Sequence, residues 1–456
     1  MFENYLAIII YLIGLGFITW ISARRKDPKE FLYASHNVGW RQLSLSLFAS
    51  LFSSYNVIVS ITFSFLFGPY ILIPYLGALG GFLIIYFLAK RYKNYIFSPE
   101  FNNLLDFIKN KFDLKVSNLF NLSLIIILFL FITLQLFINT TLFSQLLGWS
   151  KYFSALFVGI IVFLYTNLGG LKAEILTDVF QGILMFVIVM LVFMIDTSKI
   201  TSQSVIDILT NQTILYSALS IALAQCLLLI VQPELWQRVA ASRSLRELKI
   251  GIILSWILLM IIWVPMTLIG LAARCSGLVE KPGTIFYDIL KTTAPGWFFP
   301  FLIVSLFAAF MSTLDSSLFA ISSQLGKYGL LKTTKSLTSF DERKIVKNIR
   351  LSMTIVLILT LIASLFFANF LKGVFGLISL LTVLGISLLM VLLLNLSSTE
   401  AFIAFLLSLV SFIFAFFAGH INEAKPITTL YPSFFIFAYI LLQTICVRIY
   451  KHVKKL

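Results

Sequence analysis

The stretch Ala308–Ser317, A-A-F-M-S-T-L-D-S-S, concentrates hydroxyls and one carboxylate inside an apolar run from about 297 to 325. On a helix, residues three and four apart are neighbours, which lines Ser305, Ala309, Ser312 and Ser316 along one face, flanked by Thr313 and Asp315. A carboxylate in the middle of a membrane-length helix is costly and marks a site by default. The 34 Lys and Arg all fall in polar connectors or at helix ends, so no mid-membrane base stands ready to pair with Asp315. Either the carboxyl is protonated, or a cation from solution visits it.

Other polar groups gather at similar depth. Phe48–Val57, F-A-S-L-F-S-S-Y-N-V, puts Ser, Tyr and Asn inside a second apolar run. Such side chains compete with the backbone for hydrogen bonds and tolerate a helix break. A break at that depth must be buried in protein or line a wet cavity, where its carbonyls are offered to small cations. The same residues also serve as packing glue between helices. Asn167–Gln181, N-L-G-G-L-K-A-E-I-L-T-D-V-F-Q, ends one helix at its glycines and begins the next. Glu174 is expected near the solvated interface and Asp178 one turn deeper, favoured by the helix dipole or functional. Gln232–Arg238, Q-P-E-L-W-Q-R, reads as a Pro-marked helix end with Trp236 in the interfacial belt, and Pro265 as a kink.

The elements that position these groups are transmembrane helices. The chain is 60% hydrophobic and 12% charged, with mean hydropathy +1.00, far from a soluble domain. Runs of about 20 apolar residues recur, giving spans near 4–22, 43–67, 71–90, 118–146, 152–168, 174–195, 213–236, 249–273, 297–325, 350–369, 372–396, 401–420 and 429–449. With residue 1 outside, the inner connectors and tail carry 27 basic residues and the outer ones only seven: Lys151, Lys199, Arg274, Lys281, Lys291, Lys372 and Lys425. That bias places the N-terminus out and the C-terminus in the cytoplasm of a plasma-membrane protein. The net charge of +15 is therefore a topology signal and not a nucleic-acid footprint. The first span lacks a basic leader and a cleavage site, so it is kept as a mature helix. Cys226, Cys275 and Cys446 are scattered singly and suggest neither disulfides nor a metal. The connector near 101–112 reads as an amphipathic helix on the inner surface, and the basic tail as a stop-transfer flank.

G-G-L-K-A-E-I-L-T-D-V-F-Q, Q-P-E-L-W-Q-R-V-A-A-S and A-A-F-M-S-T-L-D-S-S, with D-P-K-E-F-L-Y-A-S after the first span, resemble the sodium:solute symporter family in order and spacing, over roughly 25 to 400. The resemblance implies an all-α, LeuT-like inverted repeat of two five-helix halves, 43–195 and 213–396, with an extra N-terminal helix at 4–22 and peripheral helices at 401–449. It implies a main sodium site from Ser53, Asn56, Ala309, Ser312 and Thr313, whose neutral oxygens suit a hard monovalent cation. It also implies a second cation or proton site at Asp178, Asp315 and Ser316. Three departures stand out. Tyr55 replaces the acid of the proline symporters, A-S-H (Ala34 to His36) replaces the usual A-G-R, and Asp315 stands where two-sodium members carry Ser, which admits proton coupling.

The solute is expected near the midplane, with Tyr55, Ser60, Thr62, Gln225 and Gln232 as candidate contacts, each also readable as packing. No buried Arg awaits an anion in the sequence pattern, which favours a small neutral or zwitterionic solute. The leading expectation is sodium-coupled import by a monomer. The alternatives are proton coupling through Asp315 and Asp178, or a non-transporting solute sensor, for which these 456 residues hold no signalling domain. No Ser–His or metal constellation suggests an enzyme.

Overall fold

The computed structural model describes residues 2–23, 27–98, 101–277, 286, 288–290, 294–329, 342–367, 369–422 and 425–453. Arg24, Arg25, Lys26, Lys281, Lys291, Lys332, Lys335, Lys454 and Lys455 of the charge pattern lie outside the described residues.

Among the described residues the architecture is helical. The helices used below are α1 (Phe2–Ala23), α2 (Pro28–Tyr33), α3 (Trp40–Leu51), α4 (Ser54–Phe67), α5 (Leu72–Arg91), α6 (Leu104–Lys111), α7 (Leu114–Leu147), α8 (Lys151–Met185), α9 (Gln212–Leu228), α10 (Pro233–Ala241), α11 (Leu245–Ser276), α12 (Phe299–Tyr328), α13 (Glu342–Leu365), α14 (Phe370–Leu393), α15 (Ser398–Phe417) and α16 (Tyr431–Val453). Eleven stretches among them are long and apolar enough to cross a membrane. Ser54–Arg91 and Lys151–Met194 each have length for two crossings. The first is interrupted at Gly68 (φ +56°) and the second at Gly170 (φ +61°). Only glycine adopts such a backbone cheaply, and a Cβ on Gly170 would sit 2.4 Å from the Phe31 ring.

The centre of the bundle is α12, enclosed by α1, α3, α7, α8 and α13. From Leu302 to Gln324 all but Val304 are buried. A helix apolar on one face only would be stranded there. This one instead carries small hydroxyl residues that let neighbouring backbones approach and then hydrogen-bond across the gap. The same logic holds α9 between α5 and α14: a Cβ on Gly77 or Gly385 would lie 2.2 Å from the carbonyl oxygen of Ala222 or Leu227.

Two helices are interrupted at membrane depth. The segment α3–α4 breaks at Phe52 and Ser53, both in extended backbone. The segment α9–α10 passes through a short 3-10 turn and breaks at Gln232, with Pro233 starting α10. The connector before α3 is pinned to the end of α10. Val38 donates to the Ala241 carbonyl at 2.9 Å, and Arg243 donates to the Val38 carbonyl at 3.0 Å.

Two local expectations change. Helix α6 forms, with Asn103 and Asp106 as a reciprocal cap, but Leu104, Leu105 and Ile108 are fully buried. Its apolar face packs on protein, and Asp106 pairs with Lys327 of α12 at 3.3 Å. Trp236 is buried too, its indole donating to the Ile230 carbonyl at 2.8 Å, so it is a core anchor and not part of an interfacial belt.

Candidate functional site

The first cluster lies where α12 passes the break in α3–α4. A helix that stops releases its last carbonyls from their usual donors. The Ala49 carbonyl instead accepts from Ser312 Oγ at 3.0 Å and Thr313 Oγ1 at 3.4 Å. The same two hydroxyls reach the Ala309 carbonyl at 3.2 and 3.3 Å. Each hydroxyl has one proton for two acceptors, so the four oxygens form an exchangeable set in which lone pairs can turn toward a cation. The carbonyl that these hydroxyls reach in the broken segment is that of Ala49, about one turn before Ser53 and two before Asn56. Those two shape the break: Ser53 Oγ accepts from the Asn56 backbone N–H at 3.1 Å, and Asn56 Nδ2 donates to the Leu51 carbonyl. A main-chain carbonyl has no side-chain signature, so the contact of Ala49 with α12 was not legible in the sequence.

The second cluster lies further along α12 and corrects the reading that every Lys and Arg stays in connectors or at helix ends, away from the buried acids. Arg238 of α10 is fully buried. Its Nη2 is 2.8 Å from Glu174 Oε1 and 2.8 Å from Asp178 Oδ2, and donates to Ser316 Oγ at 2.7 Å. Nε donates to Ser46 Oγ at 2.9 Å and Nη1 to the Glu234 carbonyl at 3.1 Å. Ser46 in turn donates to Asp178 Oδ2 at 2.6 Å. Glu174, expected in solvent, is 2% exposed. Burying a lone charge costs several kcal/mol, which is why these groups sit together. The missed signal was the E-x-x-x-D spacing of Glu174 and Asp178, which stacks both acids on one helix face. Asp315 takes different partners: Tyr165 donates to Oδ2 at 2.8 Å, and the Ser316 N–H to Oδ1 at 2.7 Å. Asp178, Asp315 and Ser316 are therefore brought together, with a resident guanidinium among them.

Between the broken helices lies a cavity of about 90 Å³ lined by Tyr55, Asn56, Phe131, Gln225, Gln232, Glu234 and Trp263, among others. A smaller one of about 40 Å³ shares Asn56, Gln225 and Trp263 and adds Ser60 and Tyr75. Four of the five expected solute contacts thus line this paired cavity, whereas Thr62 lines neither part. Glu234 and Trp263 were not anticipated.

The model of the sodium:solute symporter family matches residues 31–402. Sodium/proline symporter 2 of Staphylococcus saprophyticus is 26% identical over 386 residues, 79% of this chain and 75% of that one. A sodium/proline symporter of Staphylococcus aureus is 25% identical over 385 residues, 79% and 74% of the two chains. Among solved structures, a Na+-coupled sialic acid symporter in a substrate-bound outward-open state superposes with TM-score 0.77 at 18% identity, covering 94% of this chain and 96% of that one. Mhp1, a nucleobase-cation-symport-1 family transporter in a closed conformation, gives TM-score 0.56 at 12% identity, with 91% and 94% covered. These structural likenesses show a shared LeuT-like fold.

Proposed function

We infer the transport cycle from one premise: the chain belongs to the sodium:solute symporter family. It is a multi-pass membrane transporter, not an enzyme, and sodium is the coupling ion for import of a small organic solute. We propose that the coupling sodium binds where Ser312 and Thr313 of α12 meet the Ala49 and Ala309 carbonyls, with Ser53 and Asn56 setting the break that frees those oxygens. That convergence of four neutral oxygens carries the assignment, because a hard monovalent cation takes such ligands. An ion bridging α12 to the broken α3–α4 segment holds the two together, and its departure lets them separate, the elementary event of alternating access.

The solute is assigned to the cavity of Tyr55, Gln225 and Gln232, with Ser60 at its extension, and a neutral or zwitterionic one suits walls that hold no basic side chain among the described residues. Proline, the solute named for the staphylococcal relatives, fits that class. We further propose two repeats, 43–195 and 213–396, a monomer, and N-terminus out with C-terminus in, on the basic-residue bias.

At the second cluster Arg238 occupies the place that Asp178 and Ser316 would offer a second cation. A second reading, proton coupling, is favoured by one observation: among the described residues no ion pair reaches Asp315, and an intramembrane carboxyl without a resident cation is a natural proton carrier. The test is thermal stability of the purified protein in sodium, lithium and potassium, joined to uptake into proteoliposomes under imposed gradients. Sodium raises the melting temperature by mass action, and Ser312→Ala weakens its binding on the order of tenfold or more. A pH-driven response without a sodium effect would transfer the coupling role to Asp315. Binding without flux would make the protein a sensor.

A further inference from the structure

Among the described residues Glu234 is the one carboxylate on the wall of the central cavity. It sits in the first turn of α10, just after the break at Gln232, and is 3% exposed. Among the described residues its Oε2 has no hydrogen-bond partner, and neither has Oε1 of Gln232 in the same wall. Arg238, one turn along the same helix, does not neutralise it: its Nη1 goes to the Glu234 main-chain carbonyl and its Nη2 to Glu174, Asp178 and Ser316. A buried carboxylate without a counter-charge is costly, and here the open side of the group is the cavity. Tyr55, Phe131 and Trp263 supply aromatic surface in the same wall.

We propose that Glu234 receives an ammonium group of the transported solute, so that the solute class is amine-bearing. The proposal rests on the symporter reading and narrows it. An ammonium brings N–H donors for the two unpartnered acceptors, Glu234 Oε2 and Gln232 Oε1. It also brings the positive charge that a polyol lacks, and its methylene or methyl shell lies favourably over aromatic faces. An anionic solute without an amine is repelled. Asn56 lines the same cavity while its side chain donates to the Leu51 carbonyl at the α3–α4 break, two residues after Ala49, so one side chain links the cavity wall to the broken segment.

The test uses the full-length protein in detergent with saturating sodium and matched probes. These are L-alanine against isobutyrate, L-proline against cyclopentanecarboxylate, and myo-inositol as a neutral polyol. The expected result is a rise in melting temperature with an amine probe and none with its nitrogen-free isostere. Glu234→Gln loses that rise, with apparent affinity down at least tenfold, and keeps the rise produced by sodium alone. Should Glu234→Gln fail to fold, Glu234→Asp, which keeps the charge on a shorter arm, is expected to weaken amine binding without abolishing it. Stabilisation by inositol or isobutyrate but by neither amine overturns the proposal and leaves the symporter reading intact. So does amine binding of unchanged affinity in Glu234→Gln, or no response to either amine. Loss of the sodium response in the wild type strikes the symporter reading itself.

Discussion

Replacing Arg238 by Met removes five contacts at once: two carboxylates, two hydroxyls and a carbonyl, all at 2.7–3.1 Å. Hydrogen bonds to the serines are the smaller part. The larger consequence is that Glu174 and Asp178, 2% and 0% exposed, keep their burial and lose their cation. Deleting one partner of a buried ion pair costs about 3–5 kcal/mol. Arg238→Met should therefore lie within that span. Neutralising all three members, Arg238→Met with Glu174→Gln and Asp178→Asn, removes the stranded charge and should regain most of the stability, since apolar or neutral replacements of whole buried pairs are often near-neutral. Thermal and denaturant unfolding of the single and triple variants in one detergent measures both. A single variant within about 1 kcal/mol of wild type would refute the reasoning, the cost of a stranded pair being several-fold larger. So would a triple variant as unstable as the single.

Two further outcomes follow from packing and burial. Gly385→Val drives side-chain carbon into the Leu227 carbonyl, already 2.2 Å from an ideal Cβ. It should separate α9 from α14, destabilise by about 1–3 kcal/mol as overpacking does, and weaken solute binding through Gln225, while Gly16→Val, with nothing near its Cβ, stays close to wild type in the same unfolding and uptake assays. Lys109 of α6 is held down to about 8 by burial, partly offset by Asp106, with Lys327 adding to the depression. The unfolded chain then binds more protons than the folded one between about pH 8 and the ordinary lysine value, so stability rises with pH across that window. Lys109→Met should flatten that rise in a pH series of melting curves, and an unchanged slope would remove Lys109 as its cause.

The membrane class, the spans and the hydroxyl stripe of α12 were legible because each is written in side chains at helical spacing. Ser312, Thr313 and Ser316 lie together on α12 as that spacing put them. What escaped depends on backbone direction. The break at Gln232 turns α10 back into protein, so Arg238, which ends an apolar run in the sequence, arrives fully buried among the acids. Composition could not show that turn. The same change of direction points Glu234 at the cavity and carries Trp236 away from the interface. The Ala49 carbonyl escaped for a different reason: any residue type can offer it.

Tyr11 of α1 accepts from Gln181 Nε2 at 2.8 Å, a partner 170 residues later in the chain, and Gly14 lies 3.0 Å, measured from an ideal Cβ, from the Phe180 ring. During synthesis at about 5–20 residues per second, the first helix enters the bilayer roughly 10–35 s before the surface it will occupy exists. It must survive that interval as a single span in lipid, which its uninterrupted apolar run permits. Its place in the assembly is therefore decided late, when α8 emerges, and the ribosome's timetable becomes part of how this bundle is built.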